Sequence, residues 1–275
     1  MGSHPTAAIL HSTPWNRIFG QFPTYLSQLM GLPIVETDER LDFAYLVGWS
    51  PARAPSCPTY ISYESILIAH DKRKQAHAFA RAGVSIPETH LLDSIETLYT
   101  FYRRRRDKQW VLKWPVGCSG MGHQMLTQET QITTFWQPPF LVQEFVRLER
   151  PEVYRLYATD GETFGWVVRR ALPGKGASPW VSYSLGAEVE FLATPPQEVI
   201  PEVGRALEAT GLQHSFGAVD ILRSSEGRWL VLEVNTDGIF SYVERQVPAQ
   251  ALREQLDHYV AQSFQKHLER IGNLE

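Results

Sequence analysis

Two stretches near the C-terminal end hold the residue types with the sharpest chemical meaning, Gly217-Ala-Val-Asp-Ile-Leu-Arg223 and Trp229-Leu-Val-Leu-Glu-Val-Asn235. Glu233 and Asn235 are two apart, so on a strand both side chains leave one face. If the stretches form a hairpin with an even-membered turn centred on Glu226-Gly227, Asp220 stands directly opposite Glu233. Two carboxylates that close repel each other unless a cation neutralises them. An oxygen-only set with few protein ligands suits Mg²⁺ (or Mn²⁺), which completes its shell with phosphate oxygens and water. The competing reading is a polar face on a half-solvated hairpin.

A second group surrounds Lys113, which ends an apolar strand just before Pro115 and the loop Gly117-Cys-Ser-Gly-Met-Gly122. Gly117, Gly120 and Gly122 let the backbone come close to a ligand, and the N–H groups around Ser119 can cradle phosphate oxygens. Lys113 would add a point charge beside them. No Gly-Lys-Ser/Thr ends the loop, so it is not a Walker A sequence, and an ordinary flexible turn is the alternative. The run Phe140-Leu-Val-Gln-Glu-Phe-Val146 breaks its apolar character at Gln143 and Glu144. Such a strand end can offer backbone groups to an adenine edge between apolar neighbours, or can be a core strand with a wet end.

Three arginines follow, Arg155, Arg169 and Arg170, in a segment that reads as a hairpin. Beside a phosphate site they would stabilise charge in phosphoryl and acyl transfer. A two-residue turn at Asp160-Gly161 puts Arg170 on the face of Arg155, and a three-residue turn through Glu162 puts Arg169 there. The sequence leaves both open.

The elements that must position these groups read as a mixed α/β chain. Residues 6–11 and 42–48 look like buried strands flanking a helix over 16–30, a small unit with no Gly-x-Gly-x-x-Gly. Asp71 can cap a helix carrying Ala76, Phe79 and Ala80 on one face and ending at Gly83. A helix over 94–106, strands over 110–114 and 140–146, and a hairpin of 153–159 with 163–170 come next. The Gly-, Pro- and Ser-rich segment 172–187 reads as a long loop, with Lys175, Trp180 and Tyr183 as candidate specificity residues. Helices over 196–210 and 248–271 frame the metal hairpin. The expected organisation is a short N-terminal α/β unit over 1–70, a central subdomain over 71–139 and a C-terminal subdomain over 140–275.

Composition narrows the function. The 275 residues are 43% hydrophobic and 20% charged, ordinary for a globular protein. A net charge of −4 argues against a nucleic-acid partner, and the basic run Arg103–Arg106 suits a helix C-terminus. No apolar run spans a bilayer, no signal-peptide core opens the chain, and two cysteines form no disulfide framework, so a cytoplasmic protein without a membrane partner is expected. Met1-Gly2-Ser3-His4 has the look of an added leader and takes no part in the fold reading.

In their order these pieces resemble the ATP-grasp superfamily. The matching stretches are Asp71-Lys72, Ala82-Gly-Val-Ser-Ile-Pro-Glu-Thr89, Val111-Leu-Lys113 with the glycine loop and Val142-Gln-Glu-Phe-Val146. They continue through Tyr154-Arg155, Arg169-Arg-Ala171, Ala218-Val-Asp-Ile-Leu222 and Leu232-Glu-Val-Asn235. The likeness covers about residues 70–245 and is nearest the ribosomal-protein glutamate ligase branch. It implies an ATP-grasp fold with a short N-terminal α/β unit, and a ligase that activates a carboxylate as an acyl phosphate for attack by an amine. ATP and Mg²⁺ (or Mn²⁺) would be the cofactors. Lys72 and Lys113 would contact phosphates, Glu144, Phe145 and Val146 the adenine, and Glu152 (or Glu149) the ribose. Arg155 and Arg169 would hold the γ-phosphate and the acyl intermediate, and Asp220, Glu233 and Asn235 the metal. The substrates implied are small-molecule or peptide carboxylates and amines, and dimers are common among such ligases. A kinase acting on a hydroxyl and a non-catalytic nucleotide binder are the other uses of such a fold.

The sequence departs from the branch in three places. Its loop reads Pro-Gly-Lys-Gly-Ala-Ser-Pro-Trp after Arg169-Arg-Ala171 where the branch has a basic Arg-Ser-Asn segment, so glutamate does not carry over as the substrate. Asn235-Thr-Asp-Gly238 replaces Asn-Ser-Pro-Gly with Asn and Gly at the same spacing, and the N-terminal unit is short.

Overall fold

The computed structural model describes residues 6–11, 22–117, 122–134, 136–172, 179–192, 194–236 and 254–272. Strands β1 (Ala7–His11), β2 (Ile34–Val35) and β3 (Phe43–Val47) form a parallel sheet in the order β2-β1-β3, with helix α1 (Phe22–Met30) between β1 and β2. Every residue of β1 and β3 is buried, as expected of parallel strands covered on both faces. Residues 16–21 and 248–253, expected as helix, lie outside the described residues.

Helix α2 (Tyr63–His70) has no counterpart in the sequence reading; Ser62 caps it through the Ser65 N–H. Helix α3 (Lys72–Ala82) follows at once. Asp71 accepts from the Arg73 N–H at its start, and Gly83 closes it in the left-handed region with φ 64°.

A four-stranded antiparallel sheet comes next, β4 (Thr89–Leu92), β5 (Trp110–Lys113), β6 (His123–Met125) and β7 (Phe140–Glu144), ordered β4-β7-β5-β6. This sheet runs past residue 139, the boundary expected from the sequence, because β7 pairs with β4 and β5. Helix α4 (Ile95–Arg104) covers it, started by a reciprocal Ser94–Thr97 cap. Leu98, Trp110, Leu112, Leu126, Trp136, Phe140 and Val142 make its core.

The last sheet has five antiparallel strands, β8 (Glu152–Thr159), β9 (Glu162–Arg170), β10 (Glu188–Leu192), β11 (Phe216–Arg223) and β12 (Trp229–Asn235), ordered β10-β9-β8-β11-β12. Strand β10, directly after the segment read as a loop over 172–187, has no counterpart in the sequence reading: Val189 is buried and pairs with Arg169. Helix α5 (Ile200–Ala209) buries Val203, Ala206 and Leu207 against this sheet, and helix α6 (Gln262–Gly272) brings Phe264 onto Phe43 and Tyr45. The five-stranded sheet therefore shares one hydrophobic core with the N-terminal sheet, while the four-stranded sheet keeps its own. The open seam lies between them. Among the described residues no helix is long and apolar enough to cross a membrane.

Candidate active site

The seam between the four- and five-stranded sheets is a cleft of about 910 Å³, open to solvent. Lys113, Gln143, Glu144 and Phe145 line it from one side, and Arg169, Asp220, Leu232 and Glu233 from the other.

Register explains how the charges gather. Arg155 on β8 lies opposite Asp220 on β11, and Asp220 lies opposite Glu233 on β12, so a single row crosses three strands. The Asp220–Glu233 pairing expected from the sequence is present, but by another route. The turn is odd-membered, with Ser224 N–H donating to Arg228 O at 2.8 Å and Ile221 opposite Val231. A bulge between Asp220 and Ile221 then inserts one residue into β12 and restores the pairing. Val231 and Val234 stay fully buried in the core, while Leu232 and Glu233 both line the cleft.

A second bulge decides between the arginines. The β8–β9 turn is the two-residue form, with Asp160 and Gly161 at φ 49° and 82° and Thr159 opposite Glu162. That turn alone would bring Arg170 to the face of Arg155. The register shifts between Arg155 and Tyr157, where Gly165 sits at φ 64°, and the parity reverses. Val153 then pairs with Arg169, which reaches Asp220 at 2.9 Å. Arg170 lies on the opposite face with Glu152 (2.7 Å) and Glu190. Glu152, expected at the ribose, is buried there against Arg170 and the Tyr154 hydroxyl.

Asp220 is 4% exposed and Arg155 8%. Arg155 grips both carboxylate oxygens, Nε to Oδ1 at 2.6 Å and Nη2 to Oδ2 at 2.9 Å. Burial pushes the Asp220 carboxyl up, but Arg155 and Arg169 outweigh it and hold it at about 2. Burial likewise raises Glu233, and Lys72 at 3.1 Å brings it below its ordinary value. Lys72 Nζ also donates to the Gly117 carbonyl at 2.6 Å, which ties the start of α3 to the glycine loop. Asn235 Nδ2 approaches Glu233 Oε1 at 3.4 Å.

Across the cleft, Lys113 donates to Gln143 Oε1 at 2.5 Å, and Gln143 Nε2 donates to Thr89 Oγ1 at 3.0 Å. Burial lowers Lys113 to about 8. Gly122 closes the loop at φ 70° against the Trp114 ring, where a Cβ would fall 2.2 Å from a ring carbon. Ser119 and Gly120 lie outside the described residues, as does Lys175. The Glu144 and Phe145 N–H groups are taken by the Glu88 and Gln109 carbonyls. Val146 N–H has no backbone partner among the described residues.

Three participants escaped the sequence reading. His123, paired with Lys113, also lines the cleft; burial and the two lysines push it down to about 3, so it is neutral. Leu232 faces the cleft only because of the bulge. Gln75 on α3 bonds the backbone of β12. Trp180 meets His123 and Phe145 edge-on at 5.4 and 5.8 Å, joining the loop after β9 to the other sheet.

The donor set fits a hard cation. Asp220, Glu233 and Asn235 offer oxygen ligands; Arg155 fills two of the roughly four acceptor directions of Asp220, and Arg169 Nη2 forms an ion pair with it at 2.9 Å. Among the described residues no cluster of three or more His, Cys, Asp and Glu exists. A cation here would need ligand oxygens to complete its shell, which is the habit of Mg²⁺.

Two facing sheets, with Lys113 on one, Arg155 and Arg169 on the other and a carboxylate pair in the cleft beside Lys72, make up a two-layered α/β protein with a charged seam. Residues 69–236 match the ATP-grasp domain model, and the chain belongs to the ATP-grasp family. Among solved structures it is similar to D-alanine–D-alanine ligase from Bacillus anthracis, with a TM-score of 0.69 at 13% identity over 98% of this chain and 99% of that one. It is also similar to the ATP-grasp ligase PsnB complexed with a minimal precursor, with a TM-score of 0.64 at 15% identity over 92% and 98%. The D-cycloserine synthetase DcsG gives a TM-score of 0.62 at 17% identity over 91% and 99%. At these identities the likeness is one of fold. No curated protein matches the sequence.

Proposed function

We propose that this protein is an ATP-dependent carboxylate–amine ligase. The observation that carries the reading is the row Arg155–Asp220–Glu233, flanked by Arg169 and Lys72 and faced across the cleft by Lys113. Cations outnumber carboxylates there, so the site is short of negative charge until a polyphosphate enters.

Lys113 and Lys72 bind the phosphates, with Gly117 and Gly122 framing the loop above them. The adenine lies along Glu144–Val146, where Val146 N–H is the donor and Leu222, Leu232 and Trp180 supply apolar walls. Asp220, Glu233 and Asn235 hold Mg²⁺ (or Mn²⁺), which when bound supplies Lewis-acid screening of the phosphates. Arg155 spends its guanidinium on Asp220 and positions it. Arg169 is the arginine that faces the ligand: its Nε is buried without a hydrogen-bond partner among the described residues. A carboxylate oxygen attacking the γ-phosphorus brings like charges together, and Arg169 with the lysines stabilises the charge that develops. The bond from the γ-phosphorus to the ADP oxygen breaks as the acyl phosphate forms; the amine attacks the acyl carbon and gives its proton to solvent, and the carbon–oxygen bond to phosphate breaks, releasing phosphate. Arg170 and Glu152 take no part. PsnB has been seen with a precursor peptide, so peptides are in the substrate panel beside amino acids and small metabolites.

The experiment is a phosphate-release screen over carboxylate and amine pairs. Release that needs both partners is expected. Stable phosphorylation of a single hydroxyl acceptor would replace the ligase reading with a kinase.

A further inference from the structure

Strand β12 is an edge of its sheet, and an edge strand must find partners for its outward N–H and C=O groups. Here the partners come from the segment that leads into the four-stranded sheet. Val231 N–H donates to Ser85 O at 2.8 Å. Beyond the bulge, Gln75 Oε1 accepts from Val234 N–H at 2.8 Å and Gln75 Nε2 donates to Val234 O at 3.1 Å. The same Nε2 donates to Ala69 O at 2.7 Å, and Gln75 is 3% exposed. Ser85 is itself fixed by Glu202, which accepts from its N–H at 3.0 Å and its hydroxyl at 2.9 Å.

The two contacts bracket Leu232 and Glu233, the residues that the bulge turns into the cleft. One amide side chain gives Val234 both the donor and the acceptor that a neighbouring strand would give, without a strand that would cover the cleft. Lys72, one turn earlier on the same helix face, takes the Glu233 carboxylate. Helix α3 thus fixes both the backbone and the side chain of this stretch.

We infer that Gln75 is a positioning residue for the divalent-cation site, clamping β12 so that Glu233 is held ready toward Asp220. The inference rests on the reading of Asp220, Glu233 and Asn235 as metal ligands. Groups that orient a metal ligand are worth 10- to 100-fold in metal affinity. A methionine at 75 fills a similar volume and supplies none of these three hydrogen bonds.

The test measures Mn²⁺ binding to the ADP-bound full chain by electron paramagnetic resonance, and ADP binding without metal by calorimetry. Gln75→Met is expected to weaken Mn²⁺ binding about 10-fold while metal-free ADP affinity stays at the wild-type value. Glu233→Gln, measured in parallel, loses the ion. Unchanged Mn²⁺ affinity in a folded Gln75→Met, with Glu233→Gln defective, overturns the inference and leaves the metal reading standing. An equal loss of metal-free ADP affinity also overturns it, since Gln75 would then act on the cleft as a whole. Full Mn²⁺ affinity in Glu233→Gln removes the metal reading and the inference together. If Gln75→Met does not fold, Glu202→Ala, which frees Ser85 on the other side of the bulge, is measured by the same criteria.

Discussion

Arg155 and Asp220 face each other across β8 and β11 through a two-pronged contact of 2.6 and 2.9 Å, both almost wholly out of water. Asp220 is therefore a structural counter-ion as well as a candidate metal ligand. Removing one member of a buried pair leaves the other charged and unsolvated, at a cost of about 3–5 kcal/mol. Asp220→Ala is expected to lose stability of that order as well as turnover. The pair Arg155→Met with Asp220→Leu should cost clearly less than the sum of Arg155→Met and Asp220→Leu alone. Urea unfolding of the four proteins measures this, and strict additivity would contradict the contact. The acid limb follows from the same carboxylate. Its folded value near 2 lies below the ordinary 3.8, so its contribution is complete above the ordinary value and is lost as pH falls toward 2.

Adjacent arginines have opposite fates. Arg169→Met should lower kcat by roughly 10²-fold, the scale seen when one donor aimed at developing charge is removed. Arg170→Met breaks only contacts to Glu152 and Glu190 and should leave kcat near the wild-type value. Gly165→Ala reaches the same arginine indirectly. A left-handed alanine costs about 1–2 kcal/mol, and its Cβ would meet the Tyr157 ring at 2.8 Å. A lowered Tm with reduced kcat is expected. Equal losses in Arg169→Met and Arg170→Met would contradict the register.

Lys113 gives the site a pH dependence on its alkaline side. Burial holds its folded value at about 8, well under the ordinary 10.5, so in the free protein the charge is present below pH 8 and lost above it. Bound phosphate favours the protonated form, so ADP affinity should fall by up to roughly tenfold per pH unit above 8. Calorimetric titrations from pH 7 to about 9.5 test this. Lys113→Met should bind weakly throughout, with that slope gone; an unchanged slope would assign the titration to another group.

Much of this architecture is legible in the residues themselves. Asp71 and Gly83 mark α3 because one supplies a capping oxygen and the other a left-handed φ. The alternation around Asp220, Glu233 and Asn235 assigns them to one face, and the strands of the first sheet read as buried runs. What the sequence leaves open is what bulges decide. A bulge shifts parity by one residue without a composition of its own, so the turn at Asp160-Gly161 suggests Arg170 while the structure delivers Arg169. At the other hairpin a misjudged turn and an unforeseen bulge cancel, and Asp220 meets Glu233 regardless. Gln75 and His123 carry no local signal because their roles depend on long-range contacts, Gln75 with a strand 159 positions away.

The ligase reading turns on the path of a single oxygen atom. With a productive pair from the phosphate-release screen, the carboxylate is labelled with heavy oxygen and the released phosphate is analysed by mass spectrometry. Passage through an acyl phosphate predicts one labelled oxygen in each phosphate released. Unlabelled phosphate, with all of the label retained in the product, would contradict it.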